Sequence, residues 1–217
     1  MHVRSLIFRS IAPLLAFLIQ PPLSSAQQPP PREQTDTEIL YRGRYTNCDA
    51  AYSVILPAGF VAHRDRSTAV NRGFRVDLSA PQDPRPMSHA APRYLSVSNE
   101  YNSTELRSLT DIVNDALRRE SDAKADFDVV EQLPVRLAGM AAAHFRARFK
   151  NREGRLIPEK MVEEGIIAFR PEEHGRGNLI YQLQLVSKEN TYADDKRILD
   201  QITAGFRLQN FGSPGCE

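Results

Sequence analysis

The feature that most constrains this chain is a stretch of alternating apolar and polar residues between Phe127 and Phe149. Period-two alternation places every second side chain on one face of a pleated strand, so this stretch predicts two β-strands. Gly139 interrupts the pattern and supplies the permissive backbone that a chain reversal needs. We therefore expect a β-hairpin with one buried face and one solvated, basic face. The apolar set is Leu133, Val135, Leu137, Ala141, Ala143, Phe145, Ala147 and Phe149, and the basic face carries His144, Arg146 and Arg148.

Other runs of β-type residues predict five more strands around this hairpin. Each is short, rich in branched or aromatic residues and bounded by proline, glycine or polar residues. One predicted strand starts at Tyr52. The other four cover Phe74–Leu78, Leu95–Tyr101, Met161–Phe169 and Leu179–Val186.

Two segments carry the spacing of amphipathic helices. In Ser108–Glu120 the apolar residues fall at i, i+3, i+4, i+7 and i+8, and Ser108 with Asp111 forms a capping box at the start. Thr191 and Asp194 predict a similar cap for a second helix, which ends at Gly205. The predicted buried stripes are Leu109, Ile112, Val113, Ala116 and Leu117 in the first helix, and Ile198, Leu199, Ile202 and Phe206 in the second.

These elements predict an α+β fold. Consecutive strands joined by short loops favour antiparallel pairing, because parallel pairs need long crossovers. Two amphipathic helices have to cover faces of the sheet with their apolar stripes. We expect a mainly antiparallel β-sheet flanked by two main helices.

The first residues have the pattern of a signal peptide. Arg4 and Arg9 give a basic start, an apolar run follows from Ile11 to Ile19, and small residues precede a cleavage site between Ala26 and Gln27. The alternative is a membrane anchor, but this run is far shorter than the ~20 residues that span a bilayer. We predict an exported protein, periplasmic or secreted, with no integral membrane segment after cleavage.

Four segments follow from this pattern. They are a signal peptide at 1–26, a proline-rich linker and lead-in at 27–47, an α+β domain at 48–209 and a C-terminal tail at 210–217. Cleavage removes two basic residues and no acidic one, so the 28 basic and 27 acidic side chains become 26 and 27. Nucleic-acid-binding proteins usually carry a clear basic excess, and this balance argues against that class.

The two cysteines bracket the predicted domain. Cys48 precedes its first predicted strand and Cys216 follows its last helix. An even pair usually closes in an oxidising compartment, so export favours a disulfide over two free thiols. In the chain-entropy model a loop of this length stabilises the fold by at most roughly 5 kcal/mol.

The order of these elements resembles the PsbP-like superfamily. The resemblance runs from Ala51 to Leu208, and its strongest segments are Leu56–Phe60 (LPAGF), Leu133–Phe145 (LPVRLAGMAAAHF) and Ala204–Leu208 (AGFRL). It implies an αβα sandwich, a fold shared by accessory proteins of the thylakoid lumen, a Ran-binding import factor and exported bacterial proteins of unassigned role. The matching residues belong to the core and the turns, so they imply a fold and no activity.

Motifs for catalysis and metal binding are missing from the sequence. It contains no GxSxG elbow, no Walker loop, no strand-following GxGxxG and no HExxH. His174 lies beside Glu172 and Glu173 between glycines, a grouping more typical of a polar turn than of a metal site. Glu159, Glu163 and Glu164 are interpreted as strand-edge charges, because nothing places them across a cleft. We predict no catalytic residues, no metal and no cofactor.

Two basic groups remain as candidates for a partner surface. His144, Arg146 and Arg148 form either an anion or partner patch or a solvated strand face. The other group gives either a basic rim that docks an acidic partner or a polar loop. It comprises His63, Arg64, Arg66, Arg72 and Arg75.

Two functional hypotheses follow from the sequence. The favoured one is an exported, non-catalytic accessory or protein-interaction domain of the bacterial cell envelope, whose partner is another envelope protein. The alternative is a small-molecule or lipid-binding domain with a pocket between helix and sheet. An exposed apolar patch over a filled core favours the first hypothesis.

Overall fold

The computed structural model describes residues 40–64, 72–85, 93–102, 108–151, 158–171 and 178–210. All described residues lie in one compact unit, Thr37–Glu217. Among them, no helix is long and apolar enough to cross a membrane.

Eight strands form one antiparallel sheet, in the spatial order β1-β4-β5-β6-β10-β9-β8-β7. The prediction of a mainly antiparallel sheet is confirmed. Its strands are β1 (Leu40–Tyr41), β4 (Ala62–Arg64), β5 (Gly73–Asp77), β6 (Tyr94–Tyr101), β7 (Ala125–Leu137), β8 (Met140–Asn151), β9 (Glu159–Arg170) and β10 (Leu179–Lys188).

A second, three-stranded sheet packs on the large one. It has the order β11-β3-β2, from β2 (Arg44–Asn47), β3 (Tyr52–Ile55) and β11 (Arg207–Leu208). Tyr45 and Tyr52 of this sheet are fully buried and contact Phe74 and Tyr181 of the large sheet through their rings. The strands β1 and β2 lie in the segment that the sequence assigned to the linker and lead-in.

The helix α1 (Leu109–Ala123) covers one face of the large sheet. Its Ile112 and Val113 pack against Phe145 of β8 and Ile167 of β9. Ser108 caps the helix as predicted, since its Oγ accepts a hydrogen bond from the backbone N–H of Asp111 at 3.1 Å. The predicted first helix is therefore confirmed, and it continues three residues beyond its predicted end.

The helix α2 (Tyr192–Gly205) lies on the opposite face and ends at Gly205 as predicted. Its Leu199 and Ile202 join the larger core cluster, which includes Ala142 of β8. The predicted side-chain cap is wrong, because the Thr191 hydroxyl donates to Asp195 at 3.2 Å and does not bind the first backbone N–H groups. Two helices on opposite faces of one sheet give the αβα sandwich that the sequence predicted.

Candidate functional site

The β7–β8 hairpin turns in two residues, Ala138 and Gly139, which have φ angles of 47° and 87°. Positive φ at both positions is the geometry of a tight hairpin turn whose twist matches that of the strands. The turn pairs Leu137 with Met140, and the register then pairs Val135 with Ala142 and Leu133 with His144. The length of the turn thus fixes which β7 residues share a face with which β8 residues.

This register contradicts the prediction of a single buried face. Paired residues of an antiparallel ladder lie on the same face, so Leu133 shares a face with His144 and not with Phe145. Phe145 points to α1, where it is buried. The apolar set of β7 points to the other face of the sheet, the α2 side, where Leu133 remains 48% exposed. The two apolar sets of the hairpin therefore lie on opposite faces.

β7 carries two more exposed apolar residues at a β-bulge near Leu133, but Val129 pairs with Ala147 and so lies on the α1 face, whereas Leu133 lies on the α2 face. The pairing passes from Val129 with Ala147 directly to Glu131 with Arg146, so Val130 is an extra residue on β7. The side chains of Val129 and Val130 are 37% and 40% exposed. Six large apolar side chains are exposed among the described residues, and three of them belong to this short part of β7. Such clustering is typical of an interaction site and not of a solvated strand.

Acidic side chains surround these apolar residues. We define the β7 surface by its members Asp126, Asp128, Val130, Glu131 and Leu133. Asp126 Oδ2 lies 2.9 Å from Lys150 Nζ, and Glu131 Oε2 lies 2.7 Å from Arg146 Nη2. Each acid of β7 thus faces a base of β8, since Asp128 pairs in register with Arg148.

The outer edge of β7 carries features that discourage strand pairing. β7 ends the order of the eight-stranded sheet, and β8 is its neighbour in that order. Pro134 lacks a backbone N–H, and the register shifts at two places, before Asp128 and at Val130. Proline, bulges and charged residues are the usual means of protecting an edge strand. The outer edge of β7 is therefore a row of side chains and not an open ladder.

Next to the β7 surface, Glu164 of β9 connects the sheet to α2. This carboxylate is nearly buried and accepts hydrogen bonds from Tyr192 and from His144 Nε2, the latter at 2.8 Å. Lys196 Nζ lies 3.5 Å from the same carboxylate. His144 is thus a half-buried partner of Glu164, and the interpretation of its face as simply solvated is wrong.

These contacts shift the pKa of both acid groups. Burial opposes the ionisation of Glu164, but the hydrogen bonds from His144 and Tyr192 and the charge of Lys196 outweigh it and lower its pKa. Burial and the neighbouring carboxylate of Glu164 raise the pKa of Tyr192 to about 12. The cluster is therefore ionised at Glu164 and protonated at Tyr192, with the charges matched inside it.

On the α1 face, Glu163 is buried beside the end of α1. Its carboxylate accepts hydrogen bonds from Lys124 and from Gln184 Nε2, the latter at 2.5 Å. Lys124 Nζ also lies 2.5 Å from Glu120. Burial raises the pKa of Glu163, although the charge of Lys124 opposes this. The interpretation of Glu163 and Glu164 as strand-edge charges is wrong, because β9 lies inside the sheet.

Only part of the predicted basic rim is exposed among the residues that the structure describes there, since Arg72 is exposed and Arg64 is half-buried. His63 is buried, and Arg75 stacks on the ring of Tyr94 at 3.5 Å from its centroid. Arg66 lies outside the described residues, as do the predicted polar turn around His174 and the predicted disulfide partner Cys216.

Within the described ranges, no group of three or more His, Cys, Asp or Glu side chains is placed to hold a metal ion. The ionisable groups around Glu163 and Glu164 form buried or half-buried ion pairs. In each pair the acidic side chain lies beside a basic one. The β7 surface is the candidate functional site.

Solved structures show the same fold. The solution structure of CyanoP, the cyanobacterial PsbP of Synechocystis, is 15% identical, with a TM-score of 0.51 over 78% of this chain and 92% of that chain. The crystal structure of LpqN, involved in cell envelope biogenesis of Mycobacterium tuberculosis, is 10% identical, with a TM-score of 0.53 over 79% and 92%. The Ran-binding protein Mog1p of Saccharomyces cerevisiae is 10% identical, with a TM-score of 0.47 over 78% and 96%.

At these sequence identities the similarity shows the fold alone. This conclusion depends on CyanoP and LpqN, whose TM-scores are above 0.5. The chain has the PsbP-like fold, as the sequence resemblance implied. Neither a protein-family model nor a curated protein matches the chain.

Proposed function

We propose that this chain is an exported, non-catalytic accessory domain of the cell envelope that binds a protein partner through the β7 surface. The observation that carries this proposal is the register of the hairpin, which leaves Leu133 exposed on the face that carries Glu131, next to the bulge at Val130. Exposed apolar residues with a polar rim are typical of protein-binding sites.

The packing of the interior also supports a protein partner over a small ligand. The layer between α1 and the sheet is filled by Ile112, Val113, Phe145 and Ile167. On the other face, the rings of Tyr52 and Phe206 stack at 5.2 Å between their centroids. A pocket for a small molecule or lipid between helix and sheet, the alternative hypothesis, would need apolar space at one of these layers.

Two observations support a location in the cell envelope. The first residues of the chain have the pattern of a signal peptide, with a predicted cleavage site after Ala26. LpqN, which shares the fold, is described as involved in cell envelope biogenesis. Export is tested by sequencing the N-terminus of the protein from an envelope fraction. A mature chain that starts at Gln27 supports export, and an intact Met1 in the cytoplasm overturns it.

Partner binding is tested by site-specific photocrosslinking in the producing cell. A photoreactive phenylalanine replaces Leu133 in one variant and Ile55 in a matched control, whose side chain is also about half exposed but lies on the small sheet. We expect a discrete adduct from position 133 that is absent at position 55. The same adducts at both positions, or none at position 133, would contradict the proposal.

A further inference from the structure

We infer that the partner segment bound by the β7 surface is basic and apolar, with lysine or arginine side chains beside aliphatic or aromatic ones. This inference rests on the proposed function and specifies the chemistry of the partner. It follows from three observations: the order of charges across the sheet, the accessibility of the acidic groups, and the composition of the strand that already pairs with β7.

Charges alternate across the sheet from its edge inwards. In one transverse row, Glu131 of β7 pairs with Arg146 of β8, which pairs with Glu164 of β9. Unlike charges on neighbouring strands stabilise each other, and like charges in direct opposition destabilise the pair. The outermost charge of this row is negative, so a cation placed outside β7 continues the alternation.

The acidic groups at the edge can accept a second cation. The side chains of Asp126 and Glu131 are 50% and 30% exposed. An ionised carboxylate only accepts hydrogen bonds and offers about four lone-pair sites, so the ion pair with Arg146 does not saturate Glu131. Arg136, the one basic residue of β7, donates to the backbone oxygen of Gly139 at 2.8 Å. The β7 surface itself therefore carries acids and apolar residues.

The inner neighbour of β7 shows which composition complements this strand. In β8, Arg146, Arg148 and Lys150 alternate with the apolar residues Phe145, Ala147 and Phe149. The basic residues meet Glu131, Asp128 and Asp126 in register or in ion pairs. Basic side chains of an outer segment meet the same acids from the other side, and apolar side chains next to them meet Leu133, which lies on the same face as Glu131 and Asp128.

A second copy of this chain fits the β7 surface poorly. Two copies related by a two-fold axis present the same patch to each other. The acidic side chains of Asp126, Asp128 and Glu131 would then face those of the partner copy. A second copy also offers no open ladder to pair with, because Pro134 and the bulges interrupt the edge. The charge pattern favours a different chain with the opposite sign.

The inference is tested with a display library of short random peptides, selected on the folded protein at low salt. Selected peptides are then measured by fluorescence anisotropy against two charge variants. One variant neutralises the β7 surface (Asp126→Asn, Asp128→Asn, Glu131→Gln). The matched control removes three exposed acids from the helices (Asp122→Asn, Asp194→Asn, Asp200→Asn). A third variant, Leu133→Ser, removes the apolar contact, and circular dichroism checks that all variants are folded.

We expect selected peptides in which lysine or arginine accompanies apolar residues. Their affinity should fall about tenfold in the β7 charge variant, since exposed ion pairs contribute modestly, and should stay unchanged in the helix variant. Leu133→Ser should also lower the affinity roughly tenfold, as loss of a central apolar contact does. Raised salt should weaken binding.

Other outcomes separate the inference from the proposed function. Acidic or uncharged peptides that still depend on Leu133 would overturn the inferred chemistry and leave the proposed surface standing. Peptides that bind equally well to Leu133→Ser, or a library with no enriched sequence, would count against both. A concentration-dependent dimer that Leu133→Ser abolishes would replace the inferred partner with a second copy.

Discussion

Arg93 and Asp195 form a two-point ion pair that ties the residue before β6 to the first turn of α2. Arg93 Nη2 lies 2.6 Å from Asp195 Oδ1, and Nε lies 3.0 Å from Oδ2. The buried Ser187 hydroxyl donates to the same carboxylate at 2.5 Å. A single acidic side chain thus joins two strands and a helix that are distant in the sequence.

Removal of this carboxylate should destabilise the fold strongly. We expect Asp195→Ala to lower the free energy of unfolding by about 3 kcal/mol, because it leaves the partly buried Arg93 without its partner. The neighbouring Asp194 is exposed and is the matched control, for which Asp194→Ala should change stability by less than about 0.5 kcal/mol. Urea unfolding measures both, and equal losses would contradict the structural role of Asp195.

The adjacent glutamates of β9 should give opposite pH dependences. Burial raises the pKa of Glu163 above 4.5, so the folded state holds this proton more tightly and stability falls as pH rises from 4.5 through the raised value. The pKa of Glu164 is lowered, so its contribution is present above pH 4.5 and is lost as pH falls through the lowered value.

Glutamine variants separate the two effects in urea unfolding at a series of pH values. Glu163→Gln should remove part of the fall in stability above pH 4.5, while Lys124 keeps its contact with Glu120. Glu164→Gln should remove part of the fall below pH 4.5. The assignment fails if either variant follows the wild-type curve in parallel across its own window.

Gly165 of β9 should tolerate no larger residue. A Cβ at this position would lie 2.4 Å from Cε1 of the Phe145 ring, which is buried under α1 and has no space to move. We expect Gly165→Ala to destabilise the fold by about 2 kcal/mol through overpacking. The double variant with Phe145→Leu should show a favourable coupling in a double-mutant cycle, measured by thermal unfolding. Strictly additive losses would argue against this contact.

The cysteine prediction remains open to a direct chemical test. Cys48 lies just after β2, and Cys216 lies outside the described residues. A disulfide between them predicts that alkylation without a reductant leaves the intact mass of the protein unchanged. Two labelled cysteines would disprove the bridge.

The elements that sequence patterns predicted well are those fixed by local chemistry. Ser108 binds a backbone group three residues away, so its cap is visible in the sequence, and the stripe of α1 follows directly from helical spacing. The strands β1 and β11 each have two residues, too few for any periodicity to show. Their positions depend on pairing with β4 and β3, which distant parts of the chain provide.

The candidate site was harder to predict because it depends on register and on distant partners. The apolar sets of β7 and β8 each alternate correctly, but their relative faces depend on the number of residues in the turn. Counting Ala138 and Gly139 as a two-residue turn would have placed Leu133 beside His144. The burial of Glu163 had no such signal, since its partner Lys124 lies 39 residues away.

The short turn at Ala138 and Gly139 has a consequence for how relatives of this protein diverge. An insertion there that shifted the pairing of β8 against β7 by one residue would make Leu133 and Phe145 point the same way. The outward leucine would then be lost without any change in the strands themselves. In this architecture a one-position shift is enough to expose or hide a leucine near the sheet edge, and the number of residues between the strands predicts which homologues keep an outward residue at this position.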